Sequence, residues 1–167
     1  MSSKQVEEFQ QVVWKYFLNS SRDLPWRIID PDESLYAYHV LVSEFMLQQT
    51  QVVRVIDKYQ QWLTEYPNLQ AVAEASQASV LKSWNGLGYN RRAKFLYETS
   101  KTIVKVHAGT VPKEIEVLKT LPGIGHNTAA AIGAYAFNQR NVFIETNIRT
   151  VFIHPFFKNR NDVADSE

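Results

Sequence analysis

The spacing of apolar residues along the chain predicts a succession of helices. Near the N-terminus, Val6, Phe9, Val13 and Phe17 recur at the spacing of one helix face. Further helices are predicted at 36–49, 52–66, 69–75, 78–84, 93–107, 113–120, 126–137 and 146–157. Only the short stretch "NVFI" before the last helix reads as extended. Because strand-like alternation is nearly absent, the pattern predicts an all-α fold.

The stretch "LPGIG" breaks the chain sharply between two of these helices. Gly123 and Gly125 permit positive φ and carry no Cβ, so the backbone there can approach a ligand closely. The free amides at the start of the next helix favour an anion, and a nucleic-acid phosphate suits them. We therefore expect Gly123, Gly125, His126 and Thr128 to contact DNA. A helical hairpin that only packs is the alternative.

The charge distribution supports binding near this break, although the net charge is only +1. Residues 1–81 contain six basic and ten acidic residues, whereas residues 82–127 contain eight basic and three acidic ones. This asymmetry indicates a basic patch around the hairpin, with a solvated face as the alternative.

Composition narrows the class of protein further. A chain of 167 residues with 45% hydrophobic residues is long enough for one domain or slightly more. It has no cysteine, so these residues form no disulfide, thiolate metal site or iron–sulfur cluster, and its four histidines lack metal-ligand spacing. We find no apolar signal segment and no apolar run long enough to cross a bilayer. We therefore expect a cytoplasmic protein with no membrane partner.

Polar residues in the apolar helix "HVLVSEFMLQQ" are candidates for chemistry. A carboxyl group such as that of Glu44 tends to keep its proton when buried, which suits a general acid. An exposed or ion-paired glutamate is the alternative. The side chains of Gln48, Gln49 and Thr50 follow and can bond base edges, although a polar helix end has the same composition.

Three other sites have both a functional and a structural explanation. Trp26 and Arg27 in "LPWR" can stack on a base and hold a phosphate, or can form a half-buried surface pair. Tyr89 at the glycine turn "NGLGYN" can wedge between bases or serve the core. Glu145 and Asn147 open the last helix, where a carboxylate can face a developing cation or cap the helix.

Together, these motifs resemble the helix-hairpin-helix DNA glycosylases. "LPWR", "SEFMLQQTQV", "WNGLGY", "LPGIG" and "VFIETNIRTV" occur in the family's order across about residues 20–155. The second motif is specific to the adenine DNA glycosylases, whereas "LPGIG" is shared across the superfamily, endonuclease III included. The resemblance implies a six-helix barrel-like subdomain at 31–144, with the hairpin at 114–137. It also implies an incomplete second subdomain made of two segments. Residues 1–30 would form an N-terminal helix and loop, and residues 145–167 would form the helix with the catalytic carboxylate and a polar tail.

The resemblance also implies an activity: a base is flipped out of the duplex and its N-glycosidic bond is hydrolysed. The base would be adenine opposite 8-oxoguanine or guanine. Glu44 matches the glutamate that protonates adenine and later handles the attacking water. Glu145 stands where the family has an aspartate that stabilises the sugar cation, supported by the asparagine that Asn147 matches. Glu145 is one methylene longer than that aspartate.

The resemblance assigns roles to further residues as well. Asn127 lies where lyase members have lysine, so a Schiff-base mechanism is not expected and the enzyme would be monofunctional. The other matches are lesion insertion by Gln49 and Tyr89, contacts around the opposing base from Thr50 and Leu87, a base pocket containing Arg22, Trp26, Arg27 and Asn127, and a Na⁺ or K⁺ site at the carbonyls of Lys119, Leu121 and Ile124.

The implied partner is double-stranded DNA with a mismatch or an oxidised base, bound by a monomer that would be nucleoid-associated in a bacterium. Family members add further helices, a four-cysteine iron–sulfur cluster and an 8-oxoguanine-reading domain, none of which these residues contain. Two alternatives stay open. The departure at Glu145 favours a non-catalytic module that binds mismatched or damaged DNA. A thymine or uracil mismatch glycosylase would share the hairpin, but Glu44 favours adenine because protonation of a purine ring requires an acid.

Overall fold

Every regular element in the described part of the chain is helical, which confirms the predicted all-α fold. The computed structural model describes residues 2–157. Its helices are α1 Ser3–Ser20, α2 Glu33–Leu47, α3 Val52–Glu65, α4 Leu69–Glu74, α5 Gln77–Ser83, α6 Arg91–Val106, α7 Ile115–Leu118, α8 His126–Phe137 and α9 Thr146–Phe156, with a 3-10 turn at Pro25–Arg27. The "NVFI" stretch forms neither helix nor strand. The predicted polar tail after residue 157 lies outside the described residues.

The chain contacts divide the molecule into two units. The hairpin unit is Pro25–Phe143, and the terminal unit combines Met1–Leu24 with Ile144–Glu167. The sequence predicted borders after residues 30 and 144. Trp26 and Arg27, however, belong to the hairpin unit.

Helix α2 is the central element of the hairpin unit. It packs on α3, α6 and α8, and α6 also packs on α4 and α5. Its apolar residues are distributed around the helix, and Leu41, Val42 and Phe45 are fully buried. A helix that is apolar on all sides has to be covered on all sides. The sequence of α2 therefore explains its central position.

Side-chain caps determine where several helices begin. The Asp32 carboxylate accepts hydrogen bonds from the amides of Ser34 and Leu35 at 2.9 and 3.2 Å. Helix α2 consequently begins at Glu33, three residues before the position that apolar spacing predicted. Asn68 and Ser76 cap α4 and α5 in the same way.

Buried aromatic residues join α2, α3 and the end of α5. The Tyr38 hydroxyl donates to the Tyr66 carbonyl at 2.6 Å and accepts from Trp62 Nε1 at 3.0 Å. Burial raises the pKa of Tyr38, so this hydroxyl stays protonated as a donor. The Trp62 ring also meets the Trp84 ring edge-on, with centroids 5.6 Å apart. This core holds the hairpin unit as one body.

The terminal unit consists of α1 and α9. The Phe9 ring lies 5.1 Å from that of Phe152 and 5.0 Å from that of Phe156. No residue of α1 is buried, and its apolar residues Val13 and Phe17 are exposed. The spacing that predicted α1 was correct for the helix, but it did not mark a buried face.

Candidate functional site

The hairpin between α7 and α8 contains a tight turn that requires glycine. The Ile124 amide donates to the Leu121 carbonyl at 3.2 Å, and Gly123 between them has φ +76°. A Cβ at Gly123 would lie 2.7 Å from the Cβ of Phe95. The Thr99 hydroxyl also donates to the Pro122 carbonyl at 2.9 Å. The turn is therefore fixed against α6 at close range.

The sequence predicted an anion-binding site at the start of α8, which begins at His126. Gly125 is the N-cap residue and provides no side-chain acceptor for the amides of the first turn. Gly125, His126 and Asn127 are exposed, whereas Thr128 is half-buried. Free amides and the helix dipole at such an end favour a negatively charged group. A phosphate can therefore reach this backbone without displacing a side-chain cap.

Two exposed side chains form the tips of neighbouring loops. Gln49 follows α2 with φ +54°, and Tyr89 precedes α6 with φ +47° and 63% of its surface exposed. Non-glycine residues adopt this left-handed conformation at a cost, which the surrounding structure has to offset. The Thr50 hydroxyl lies 3.5 Å from the Leu87 carbonyl and so connects the two loops.

Arg92, which no sequence pattern had marked as functional, contacts both loops. The side chain is 7% exposed. Its Nη1 donates to the carbonyls of Phe45, Met46 and Gln48 at 3.0, 2.9 and 2.5 Å. Its Nη2 donates to the Thr50 hydroxyl at 2.8 Å and to the carbonyls of Leu87 and Gly88 at 3.2 and 3.1 Å.

A signal for Arg92 was present in the sequence. Arg92, Leu96, Thr99 and Ile103 lie at helical spacing on one face of α6, and all four are buried. Burial lowers the pKa of Arg92, an effect that the nearby Tyr89 opposes. A guanidinium nevertheless stays protonated in proteins.

Glu44 lies on α2 between the buried residues Ser43 and Phe45 and is itself half-buried. Gln48 follows one turn later on the same face, since residues four apart are neighbours on a helix. The Gln48 amide nitrogen donates to the Thr128 hydroxyl, in the first turn of α8, at 3.5 Å. The hairpin unit therefore brings together the predicted acid, the loop of Gln49 and the start of α8.

Glu145 and Asn147 belong to the terminal unit. Glu145 is the N-cap residue of α9, but its side chain forms no capping hydrogen bond. Both side chains are exposed. The sequence allowed helix capping as a structural explanation for Glu145. The structure excludes it, because the carboxylate accepts no hydrogen bond from the first turn of α9. Glu44 and Glu145 lie in different units.

Two predicted contact residues are buried. Trp26 is 8% exposed and meets the Tyr59 ring edge-on, with centroids 5.4 Å apart. Leu87 is 2% exposed, and its carbonyl faces Arg92. Both side chains are in the core because their large apolar surfaces are excluded from water, so a direct contact with a base does not fit their positions. Arg22, in the terminal unit, and Arg27, in the hairpin unit, are exposed.

The expected cation site consists of hairpin carbonyls. The Leu121 carbonyl accepts one hydrogen bond within the turn, which leaves a second lone pair for a cation. The Leu121 and Ile124 side chains are buried and fix this backbone. The donor set of carbonyl oxygens fits a hard monovalent cation. Among residues 2–157, no group of three His, Cys, Asp or Glu side chains could hold a metal ion.

The helices, the hairpin and its neighbouring loops define a class of protein. The model of the HhH-GPD superfamily of base excision DNA repair proteins matches residues 42–166, and the chain belongs to this superfamily. The resemblance drawn from the sequence motifs is thereby confirmed.

Individual relatives point to one branch of the superfamily. The chain is 44% identical over 136 residues to an adenine DNA glycosylase of Mycobacterium tuberculosis (strain CDC 1551 / Oshkosh), covering 81% of this chain and 43% of that protein. It is 40% identical over 151 residues to the human adenine DNA glycosylase, covering 88% of this chain and 28% of the human protein. The chain thus spans less than half the length of these relatives.

Solved structures share the fold. A thermostable thymine-DNA glycosylase aligns with a TM-score of 0.79 at 24% identity, covering 89% of this chain and 67% of that one. Endonuclease III in a non-covalent complex with DNA aligns with a TM-score of 0.76 at 16% identity, covering 91% and 68%. No helix among residues 2–157 has the length and apolar character needed to span a membrane.

Proposed function

We propose that the chain carries the base-releasing activity of a monofunctional DNA glycosylase whose substrate is adenine opposite 8-oxoguanine or guanine. The supporting observation is Glu44, half-buried in α2 one turn before the Gln49 loop. The chain that contains Glu44 is 44% identical, over 136 residues, to a protein named adenine DNA glycosylase.

In the proposed reaction, the adenine is flipped out of the duplex and Glu44 donates a proton to its ring. The N-glycosidic bond breaks with its electron pair moving to the adenine, and an oxocarbenium-like sugar cation remains. The Glu145 carboxylate stabilises this cation, with Asn147 supporting it, and water attacks the sugar carbon. Glu44 then takes up a proton from that water. Two carboxyl groups of this kind perform the same two tasks in glycoside hydrolysis.

A hydrolytic rather than a lyase mechanism is supported by Asn127. This residue is exposed in the first turn of α8, where lyase members carry a lysine. An amide side chain cannot form a Schiff base with the sugar. The proposed enzyme therefore leaves an abasic site with an intact DNA strand.

The proposed DNA contacts come from three places in the hairpin unit. The amides after Gly123 and Gly125, with His126 and Thr128, hold a backbone phosphate, and a Na⁺ or K⁺ ion at the carbonyls of Lys119, Leu121 and Ile124 adds positive charge there. Gln49 and Tyr89 enter the duplex at the lesion. The protein acts as a monomer on double-stranded DNA, in the nucleoid if the host is a bacterium.

The test is base release from a panel of duplexes that differ in one pair: adenine opposite 8-oxoguanine, adenine opposite guanine, and thymine or uracil opposite guanine. Strand scission is read with and without alkali. We expect product from the adenine duplexes only, and only after alkali. Product without alkali would contradict the monofunctional mechanism, and product from thymine or uracil alone would contradict the base assignment.

A second function is favoured by Glu145 itself. A side chain one methylene longer than aspartate displaces the carboxylate, and a misplacement of about 1 Å costs ~100-fold in rate. The chain would then be a module that binds mismatched or damaged duplex without cutting it. Tight, salt-dependent binding of the adenine–8-oxoguanine duplex, with no base release by the folded protein in single turnover, would establish this function.

A further inference from the structure

We propose that Arg92 is the positioning residue that holds Gln49 and Tyr89 in the conformations with which they enter DNA. The inference rests on the proposed function, because it takes these two loop tips to be the parts that meet the lesion. Arg92 lies beneath both tips in the hairpin unit and has no assigned role in the chemistry.

Arg92 contacts the backbone next to each tip. Next to Gln49, Nη1 holds the Gln48 carbonyl and Nη2 holds the Thr50 hydroxyl. Next to Tyr89, Nη2 holds the Gly88 carbonyl at 3.1 Å. The guanidinium carbon also lies 5.4 Å from the centroid of the Tyr89 ring. One side chain thus contacts the residue before each tip.

The same contacts cap the C-terminus of α2. The carbonyls of Phe45 and Met46 belong to its last turn, where backbone acceptors lack partners within the helix. A cation at that end is favoured by the helix dipole. Arg92 therefore fixes where α2 ends and the Gln49 loop begins.

The strain at the tips requires a support of this kind. Gln49 and Tyr89 are both non-glycine residues with positive φ, and both are exposed. Such a conformation persists only where neighbouring contacts enforce it. The bonds from Arg92 to Gln48, Thr50 and Gly88 are such contacts. They act together with two backbone bonds, from the Thr50 amide to the Leu47 carbonyl and from the Arg92 amide to the Tyr89 carbonyl.

Lysine cannot replace this arginine. The six acceptors are divided between two terminal nitrogens, and each nitrogen faces a different set. A lysine ammonium is a single point with three donors, so it can satisfy at most three of these six acceptors. Arg92→Lys therefore keeps the charge and loses at least three of the bonds that hold the two loops.

The first readout uses the protein without DNA. We expect Arg92→Lys to increase amide hydrogen exchange at residues 49–50 and 88–89, while exchange in the α2 core stays as in the wild type. Arg140→Lys is the matched control, since Arg140 is an exposed residue outside both loops. Unchanged exchange at both loops in folded Arg92→Lys would overturn the proposal.

The second readout is how well the protein flips a base out of a DNA duplex. The duplex carries 2-aminopurine opposite 8-oxoguanine, and 2-aminopurine fluoresces more strongly when it is unstacked. We expect Arg92→Lys to lower the affinity and the fluorescence increase about tenfold, within the range of coupling in one hydrogen-bond network. In a Gln49→Ala/Tyr89→Ala background, the same change should have less than a ~2-fold effect. An equal loss in both backgrounds would show that Arg92 does not act through the tips and would overturn the proposal.

The two readouts also separate this proposal from the proposed function. If the wild type flips no base out of the duplex, as measured by 2-aminopurine fluorescence, the proposed function fails. Hydrogen exchange in the free protein still decides whether Arg92 holds the loops. If Arg92→Lys does not fold, Thr50→Val provides a second test. It removes the hydroxyl that accepts a hydrogen bond from Arg92 Nη2 and changes the shape of the side chain little. We then expect faster exchange at residues 88–89 of the other loop, and wild-type exchange there would overturn the proposal.

Discussion

Gln49 and Tyr89, the two residues that we propose enter the DNA, both have a strained backbone conformation. Each occupies a left-handed conformation that costs about 1–2 kcal/mol for a residue with a Cβ. Each is exposed, so neither gains much from burial. In our account, the contacts of Arg92 offset this cost.

The left-handed conformation of Gln49 predicts a more stable protein when this residue is replaced by glycine. Glycine removes the left-handed strain, so we expect the free energy of unfolding to rise by about 1 kcal/mol. Gln60→Gly, in the middle of α3, is the control and should lower it by about 1 kcal/mol. Urea unfolding measures both changes. A loss of stability in Gln49→Gly as large as that in Gln60→Gly would contradict the strain.

Residues that interrupt a pattern were the ones that sequence could identify. Glu44 is a charge in an apolar helix, and Tyr89 is an aromatic residue among glycines, so both were candidates for function. Arg92 follows Arg91 in a basic segment and resembled a solvated residue. Its burial depends on the carbonyls of Gln48 and Gly88, which are distant in sequence from one another. Leu87 and Trp26 are buried by packing, which also depends on residues distant in sequence.

At the scale of elements, apolar spacing predicted the helices but not their ends. Helix α2 begins earlier than predicted because of Asp32, and the 3-10 turn at Pro25–Arg27 has no periodic signal. The turn of the hairpin was predictable because glycine and proline specify it locally, although α7 is shorter than predicted, at Ile115–Leu118. Its attachment to α6 through Phe95 and Thr99 was not, since it depends on packing.

The hairpin glycines should differ in their tolerance of alanine. At Gly123, a Cβ meets Phe95 at 2.7 Å and φ is positive, so we expect Gly123→Ala to lower the free energy of unfolding by about 3 kcal/mol. At Gly125, no atom lies within 4 Å of a Cβ, so Gly125→Ala should change it by less than about 0.5 kcal/mol. Denaturant melts of the two variants provide the comparison, and equal effects would contradict the structure of the turn.

At the scale of the whole molecule, the proposed chemistry is divided between the two units. The hairpin unit contains Glu44, the loops and the hairpin, and the terminal unit contains Glu145 and Asn147. The sequence correctly predicted that Glu44 lies on a helix and that Glu145 lies at the start of the last helix. Their joint role in base release is part of the proposed function.

The stability of the folded chain should also depend on pH through His39. Burial lowers the pKa of His39 in α2 below its ordinary value of 6.5, and the charge of Asp30 opposes this shift only in part. The unfolded chain therefore binds a proton more readily, so His39 contributes stability above about pH 6.5 that is lost as the pH falls. We expect urea unfolding to show a larger loss between pH 8 and pH 5 for the wild type than for His39→Gln. An equal or smaller loss for the wild type would contradict this sign.

The central claim is that Glu44 and Glu145 perform adenine release together. The most direct test is single-turnover cleavage of a duplex with adenine opposite 8-oxoguanine, comparing wild type, Glu44→Gln and Glu145→Asp. Our account predicts wild-type product after alkali, a loss of about 100-fold or more in Glu44→Gln, and retained or faster release in Glu145→Asp. A Glu44→Gln protein that releases adenine at the wild-type rate, or a folded wild type that binds the duplex and releases none, would contradict it.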